Sequence, residues 1–235
     1  MLDPEEKNYR ELDRLALLCR VPIPRAFITL EVFNRDGKLL RRHKQRSHSW
    51  TRNAYNHLFS NMCAKNATGA IFGAGELSFK ATGAQVYGNT LFGSAIETTT
   101  GSYEGSYGLL AAAGLATSGI MVGSGENAES FEDYVLQTQI LEGAGAGQLN
   151  HAASEAHAIS YAAFVLKDEL VRYFNNNSGA SIDVNEVGLV IYMAKSFQNS
   201  YGRILFSRDK LPSTVTIPDT GQLKVTYSIE LTYPA

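Results

Sequence analysis

From Leu223 to Tyr233 the chain alternates without interruption. Leu223, Val225, Tyr227, Ile229, Leu231 and Tyr233 lie on one side, and Lys224, Thr226, Ser228, Glu230 and Thr232 on the other. A period of two held this long is that of a β-strand with one buried and one wet face. Ala26–Phe33 alternates in the same way, and Asn34-Arg35-Asp36-Gly37 supplies the turn from which Lys38–Lys44 returns as a basic, exposed strand. Ile182–Met193 and Arg203–Ser207 read as further strands, with Gly188 marking a bulge or a close approach. Pro212 and Pro218 bracket a short edge piece, Thr214–Ile217, and Asp219-Thr220-Gly221 turns into the terminal strand. Ile159–Phe174 reads two ways: its first half suits a helix or a strand, whereas Leu170–Phe174 alternates and runs into the turn Asn175–Gly179.

Two segments carry helical spacing instead. Pro4–Arg20 opens on Asp3, Glu5 and Glu6, sets Leu12, Leu15 and Leu18 on one face, and stops at Val21-Pro22-Ile23-Pro24. Ser49 or Asn53 caps a second helix reaching about Ala64, with Trp50, Leu58, Phe59 and Met62 on its apolar side. The expected fold is therefore mainly β: an antiparallel β-sandwich, jelly-roll-like or immunoglobulin-like, with a short N-terminal helix and one further helix. Residues 1–25 form the helix and an extended arm, and 26–235 the body, with a glycine-rich loop insertion at about 67–125. That insertion holds thirteen of the 21 glycines but only four charged residues, and it is too aromatic for a disordered tract.

At 235 residues the chain can bury a sizeable core without staples. Cys19 and Cys63 match no metal or redox spacing and read as free thiols or small hydrophobes. No leader peptide and no apolar run of membrane-spanning length is expected, so no membrane partner is assigned. Net charge is −2, which points neither to nucleic acid nor to an acidic surface. Locally the balance differs: Arg35, Lys38, Arg41, Arg42, Lys44, Arg46 and Arg52 stand together with Asp36 the single acid among them. Three readings compete for this 35–52 stretch: contact with a nucleic-acid backbone, a solvated edge whose charge blocks aggregation, and a docking surface for an acidic neighbour.

Motifs for chemistry are incomplete. Gly123-Ser124-Gly125 lacks the spacing of a nucleophile elbow, and Gly143-Ala-Gly145-Ala-Gly147 does not complete a dinucleotide fingerprint. His43, His48, His57, His151 and His157 form no i, i+4 pair with an intervening acid. Glu126, Glu129, Glu132 and Asp133 cluster without the EF-hand pattern. No catalytic residue, cofactor or metal is expected.

Three stretches resemble a known class of sequence. They are Gly119-Ile-Met-Val-Gly-Ser-Gly-Glu-Asn-Ala followed by Asp133-Tyr-Val-Leu136; Asn176-Asn-Ser-Gly-Ala-Ser-Ile-Asp-Val-Asn-Glu-Val-Gly-Leu189; and Ser207-Arg-Asp-Lys-Leu-Pro212 with Val215–Pro218 and Gly221–Ile229. Together they are similar to small tailed-bacteriophage virion domains, over about Gly119–Tyr233. The block Phe27–Phe59 also resembles the leader seen on such proteins. The resemblance implies a structural β-sandwich of the capsid, neck, baseplate or tail, made in the host cytoplasm, residing in the virion and carrying no enzymatic residues. Its partners would be other copies of itself and other virion proteins. Under that reading the contact candidates are Leu12, Leu15 and Leu18 on the arm, Arg41, Arg42 and Arg46 on the basic edge, and Tyr103 and Tyr107 in the glycine-rich loops. The alternative is a glycan- or receptor-binding sandwich of a tail fibre, stacking sugars on Trp50, Tyr87, Tyr103 and Tyr107.

Overall fold

The computed structural model describes residues 4–63, 76–78, 85–87, 108–196 and 200–233. In chain order the elements are α1 (Pro4–Cys19), β1 (Pro24–Phe33), β2 (Leu39–Ser47), α2 (Arg52–Cys63), the short pair β3 (Glu76–Ser78) and β4 (Gln85–Tyr87), β5 (Gly119–Gly123), β6 (Asn150–His151), β7 (Ala158–Ala162), β8 (Val165–Asn175), β9 (Ile182–Ser196), β10 (Ser200–Ile217) and β11 (Gln222–Thr232). Because its apolar side needs a sheet around it, the alternating terminal segment β11 sits between β1 and β8, antiparallel to both. The larger sheet runs β2-β1-β11-β8-β6, with β7 also on β8, and the smaller runs β10-β9-β5. Their facing sides share one core: Ile28, Leu30, Leu170, Phe174, Leu223 and Val225 from the first meet Ile120, Val122, Val184, Leu189, Val215 and Ile217 from the second. The protein is an antiparallel β-sandwich with a short N-terminal helix, as the alternation predicts.

Several local expectations are refined. The ambiguous segment is a hairpin, β7 to β8, because pairing with 165–169 overrides the helical preference of its alanines. The piece around Thr214–Ile217 is not separate; it continues β10. The register against β9 shifts between Lys210 and Val215, and Pro212, which has no N–H to give a ladder, sits in that irregularity. Gly188 is a close approach: a Cβ there would stand 2.8 Å from the Leu136 side chain and 3.1 Å from that of Leu205. Part of what reads as glycine-rich insertion is core, since Ile120, Met121 and Val122 of β5 are fully buried. Trp50 lies before α2, bridged to Ser207 and packed on the core, and Leu58 faces solvent. α2 instead turns buried Asn53, Ala54 and Asn56 inward, because Thr51 at its start is tied by its hydroxyl to the Leu205 carbonyl (2.8 Å).

Long irregular connections must have their backbone groups met from within. Arg172, on the inward side of β8 between Leu170 and Phe174, is fully buried. Its Nε donates to the Ala152 carbonyl (3.0 Å), Nη1 to those of Ser118 (3.0 Å) and Ile120 (2.9 Å), and Nη2 to those of Ala112 (3.4 Å) and Leu115 (2.7 Å). Burial lowers its pKa to about 10, which leaves it charged at neutral pH, and Glu142 supplies an opposing pull. Replacing Arg172 with Met keeps the bulk and strands five carbonyls. The expected result in urea titration is a loss of about 3 kcal/mol or more of unfolding free energy, with Arg172→Lys recovering part of it through its three donors.

Candidate functional site

The chemistry-bearing side chains gather where β2 leaves the larger sheet and passes β10. Ser47 ends β2, and its outward neighbours on the inner side of that strand, Gln45 and His43, bond to each other (2.8 Å) across the sandwich rim. Asp209 of β10 is wholly buried beneath them. Its Oδ1 accepts from the backbone N–H groups of His48 (2.8 Å) and Ser49 (3.3 Å), and its Oδ2 from the Ser47 hydroxyl (2.8 Å). The Tyr227 hydroxyl lies 2.6 Å from Ser47 Oγ and 3.0 Å from Ser207 Oγ, so Ser207, Tyr227, Ser47 and Asp209 form one hydrogen-bonded chain joining the two sheets. Burial pushes the Asp209 carboxyl above its ordinary range, against the bonds it accepts, and raises Tyr227 as well.

His48 covers this chain from outside. Its Nε2 is 3.2 Å from Glu129 Oε2, its Nδ1 is 3.2 Å from the Arg46 carbonyl, and Asp209 lies 4.0 Å away. The bond to Glu129 raises the imidazole pKa to about 9 despite partial burial. Glu129 also accepts from the Lys210 backbone N–H (2.5 Å). The carboxyl of Glu129 is held below its usual range: burial opposes this, but the His48 and Lys210 bonds outweigh it. His48, Glu129 and Asp209 bring one ligand atom each within 4.8 Å of the others, a donor set able to hold a metal ion. The oxygens of Asp209 are already engaged by two N–H groups and a hydroxyl, and a protonated His48 has no lone pair to give. As arranged, the cluster is an ion pair over a buried acid.

A second buried acid, Glu186, stands on β9 opposite Lys210, the residue after Asp209. Glu186 of β9 accepts from the N–H groups of Gly125 (3.3 Å), Gln137 (3.1 Å) and Thr138 (2.8 Å) and from Arg208 Nε (2.6 Å). Arg208 continues to Asp133 (2.9 Å) and to the carbonyls of Ala128 (3.1 Å) and Asn127 (3.0 Å). Gly123 and Gly125 are required here, because a Cβ at either would collide with the Glu186 carboxylate. The Gly-Ser-Gly is thus a cradle for a structural acid. The acidic cluster of the 126–133 loop has separate partners: Glu129 on His48, Asp133 on Arg208, Glu132 on Arg52 (2.8 Å), and Glu126 3.4 Å from Asn185.

The basic stretch is divided in the same way. Arg41 donates to the Ser213 hydroxyl (2.8 Å) and the Thr214 carbonyl (2.5 Å). Arg42 pairs with Glu31 (3.5 Å), and Arg46 makes two 3.1 Å bonds to Asp13 of α1 while lying 4.4 Å over the Tyr9 ring. Between α1, β2 and β10 runs an open groove of about 850 Å³, bordered by Tyr9, Phe27, Lys44, His48, Glu129 and Lys210. Leu12, Leu15 and Leu18 are 45, 43 and 67 % exposed on the side of α1 away from the sheet. Tyr103 and Tyr107, like the side chain of Tyr87, lie outside the described residues; Trp50 is packed on the core. Cys19 is an exposed free thiol. No helix among the described residues is long and apolar enough to cross a membrane. The sequence assigns no role to Glu186 or Asp209, which fall within the stretches that carry the resemblance, and it signals Arg172 only by parity, a charge on the inward side of a strand between Leu170 and Phe174.

Two histidines contribute opposite pH dependences. His48, raised to about 9 in the folded chain, contributes stability that is complete below about 6.5 and lost as pH rises through 9. His151, buried edge-on against Phe174 with neither ring nitrogen hydrogen-bonded among the described residues, is lowered to about 4 by burial and by Arg172. Its contribution is complete above about 6.5 and lost as pH falls towards 4. Urea midpoints measured across this span should fall on both sides. His48→Gln should reduce the alkaline fall and, by releasing Glu129, the part of the acid fall that this carboxyl carries, whereas His151→Leu should reduce the acid fall and leave the alkaline one. No family model, no curated protein and no solved structure matches the chain.

Proposed function

We propose that this protein is a structural subunit of a bacteriophage virion, in a capsid-associated, neck, baseplate or tail position, which acts by docking onto neighbouring subunits and performs no catalysis. The observation that carries the reading is the way α1 is mounted. An amphipathic helix on a globular body ordinarily turns its apolar stripe inward. Here the helix is fixed by its polar side: Asp13 to Arg46, Asp13 to Arg25 (3.4 Å), and Tyr9 beneath the Arg46 guanidinium. The guanidinium of Arg46 is nearly buried by this contact, which holds the helix in one orientation. Leu12, Leu15, Leu17 and Leu18 are left facing water on a rigid mount, a surface that gains by meeting another protein.

The helix ends cleanly. Arg20 takes a left-handed conformation (φ 55°), Val21 N–H bonds to the Ala16 carbonyl (3.0 Å) and Arg20 N–H to that of Leu17 (3.3 Å), a Schellman closure without glycine. The buried acids described above have roles in holding connections together, which accords with a rigid building unit. A genome carrying Leu12→Gln, Leu15→Gln and Leu18→Gln together tests the reading. The purified variant should keep the thermal midpoint of the parent within about 2 °C, since exposed substitutions cost little. Its abundance in purified particles should drop at least tenfold. Unchanged incorporation would sink the arm as the docking element, and absence of the unaltered protein from purified particles would sink the virion assignment.

A further inference from the structure

The larger sheet has two edges, and they are built differently. β2, at one edge, bears Arg41, Arg42 and Lys44, and charge on an edge strand discourages further pairing. β7, at the opposite edge, is Ala158-Ile159-Ser160-Tyr161-Ala162, with no charge and no proline. It pairs with β8 in unbroken register from Ala158 opposite Glu169 to Ala162 opposite Val165. Among the described residues no strand takes its other side, and all five of its residues are exposed, Ile159 at 69 % and Tyr161 at 57 %.

This edge is also held in shape. Ala163 and Phe164 close the hairpin with φ of 48° and 64°, both left-handed, the geometry of a two-residue turn that matches strand twist. Neither is glycine, so the turn carries strain that must be met by neighbouring contacts. Tyr233 N–H donates to the Phe164 carbonyl (2.8 Å), and the Tyr161 and Tyr233 rings lie 5.7 Å apart. The result is a fixed, bare strand edge beside the exposed Phe164 ring.

We propose that β7 is a self-association edge and that its occupant is β7 of a second copy, antiparallel about a twofold axis through Ser160. The strand is close to a palindrome in side-chain size. A twofold axis sets Ala158 opposite Ala162, Ser160 opposite itself, and Ile159 opposite Tyr161 twice, and β-branched–aromatic pairs are among the favourable cross-strand neighbours. Charge complementarity also selects this partner. An uncharged strand meeting itself opposes no like charges, and the nearest, Lys167 of the two copies, stand three strand spacings apart, roughly 14 Å, beyond the screening length. The β2 edge of another copy would instead carry arginines against Ile159 and Tyr161. The strand offers five residues, against the roughly 20–30 a side of a standard interface, so the dimer is a weak and reversible one, and a dissociation constant of roughly 1–100 µM is the range to search.

This inference stands apart from the virion reading and is tested in solution on the full chain. Sedimentation velocity over about 1–300 µM should show monomer passing to dimer. Amide exchange at 158–162 should slow over the same range. Ile159→Lys with Ser160→Asp, which meet Asp168 and Lys167 within the chain and set Asp against Asp across the axis, should keep the thermal midpoint and remain monomeric throughout. A chain monomeric at every concentration would overturn the proposal. So would a dimer that survives the double substitution or leaves the 158–162 amides unprotected. A dimer lost instead with the three α1 leucines would overturn it too, and would move self-association to the helix.

Discussion

Arg172 carries a guanidinium into the gap between the sheets, and the carbonyls of Ala112, Leu115, Ser118, Ile120 and Ala152 close around it. Two sheets of six and three strands cannot cover each other evenly, and the uncovered part of the larger one must be roofed by irregular backbone. Such backbone cannot be buried with its carbonyls unmet. One five-donor side chain solves this with a single charge, and Arg is the only residue whose fork offers that many donors in a fixed plane. Glu186 and Asp209 do the converse for segments that need acceptors: the 124–138 loop in the first case, the passage from β2 to α2 in the second. These three described connections are thus tied to the sandwich by a buried ionisable group whose hydrogen-bonding role complements their backbone. Arg208 then pairs with Glu186, and His48, 4.0 Å from Asp209 and itself paired with Glu129, faces that second acid from the outer side.

That division explains what could be read from the sequence. Alternation in Leu223–Tyr233 and Ala26–Phe33 is a local property, because one face of each strand is apolar whatever its neighbours are, and both strands are where the pattern puts them. Proline usually ends a central strand, yet β10 runs through Pro212, because the N–H it lacks falls where the β9–β10 register already slips. Leu58 and Trp50 depart from the helical pattern because α2 is positioned by the Thr51 hydroxyl, which donates to the Leu205 carbonyl of β10, and not by its own apolar side. The buried charges were illegible for a deeper reason. Arg172 inside an alternating run looks like a register error unless the carbonyls it meets, 20 to 60 residues away, are known to surround it. Parity was in the sequence, but partners were not. The same holds for the basic stretch, which reads as one surface and is in fact divided among Glu31, Asp13, Glu132 and the β10 backbone.

The arm and the bare edge follow from this arrangement. Because Arg46 and Arg25 fasten α1 through Asp13, the helix lies on the outer side of the larger sheet with its leucines outward. Because Arg41 folds onto β10, the β2 edge is charged and partly closed. Among the described residues, the β7 end of that sheet keeps both an open ladder and apolar side chains. If copies pair there, each dimer extends a single sheet through two bodies, and the two leucine stripes become parts of one object related by a twofold axis. A ligand surface with repeated sites would then bind the second stripe as an intramolecular event, at an effective concentration far above that of free subunits. Weak pairing at β7 and weak docking at α1 would reinforce each other on a symmetric surface and dissociate readily away from it, which is the behaviour that assembly from free subunits requires.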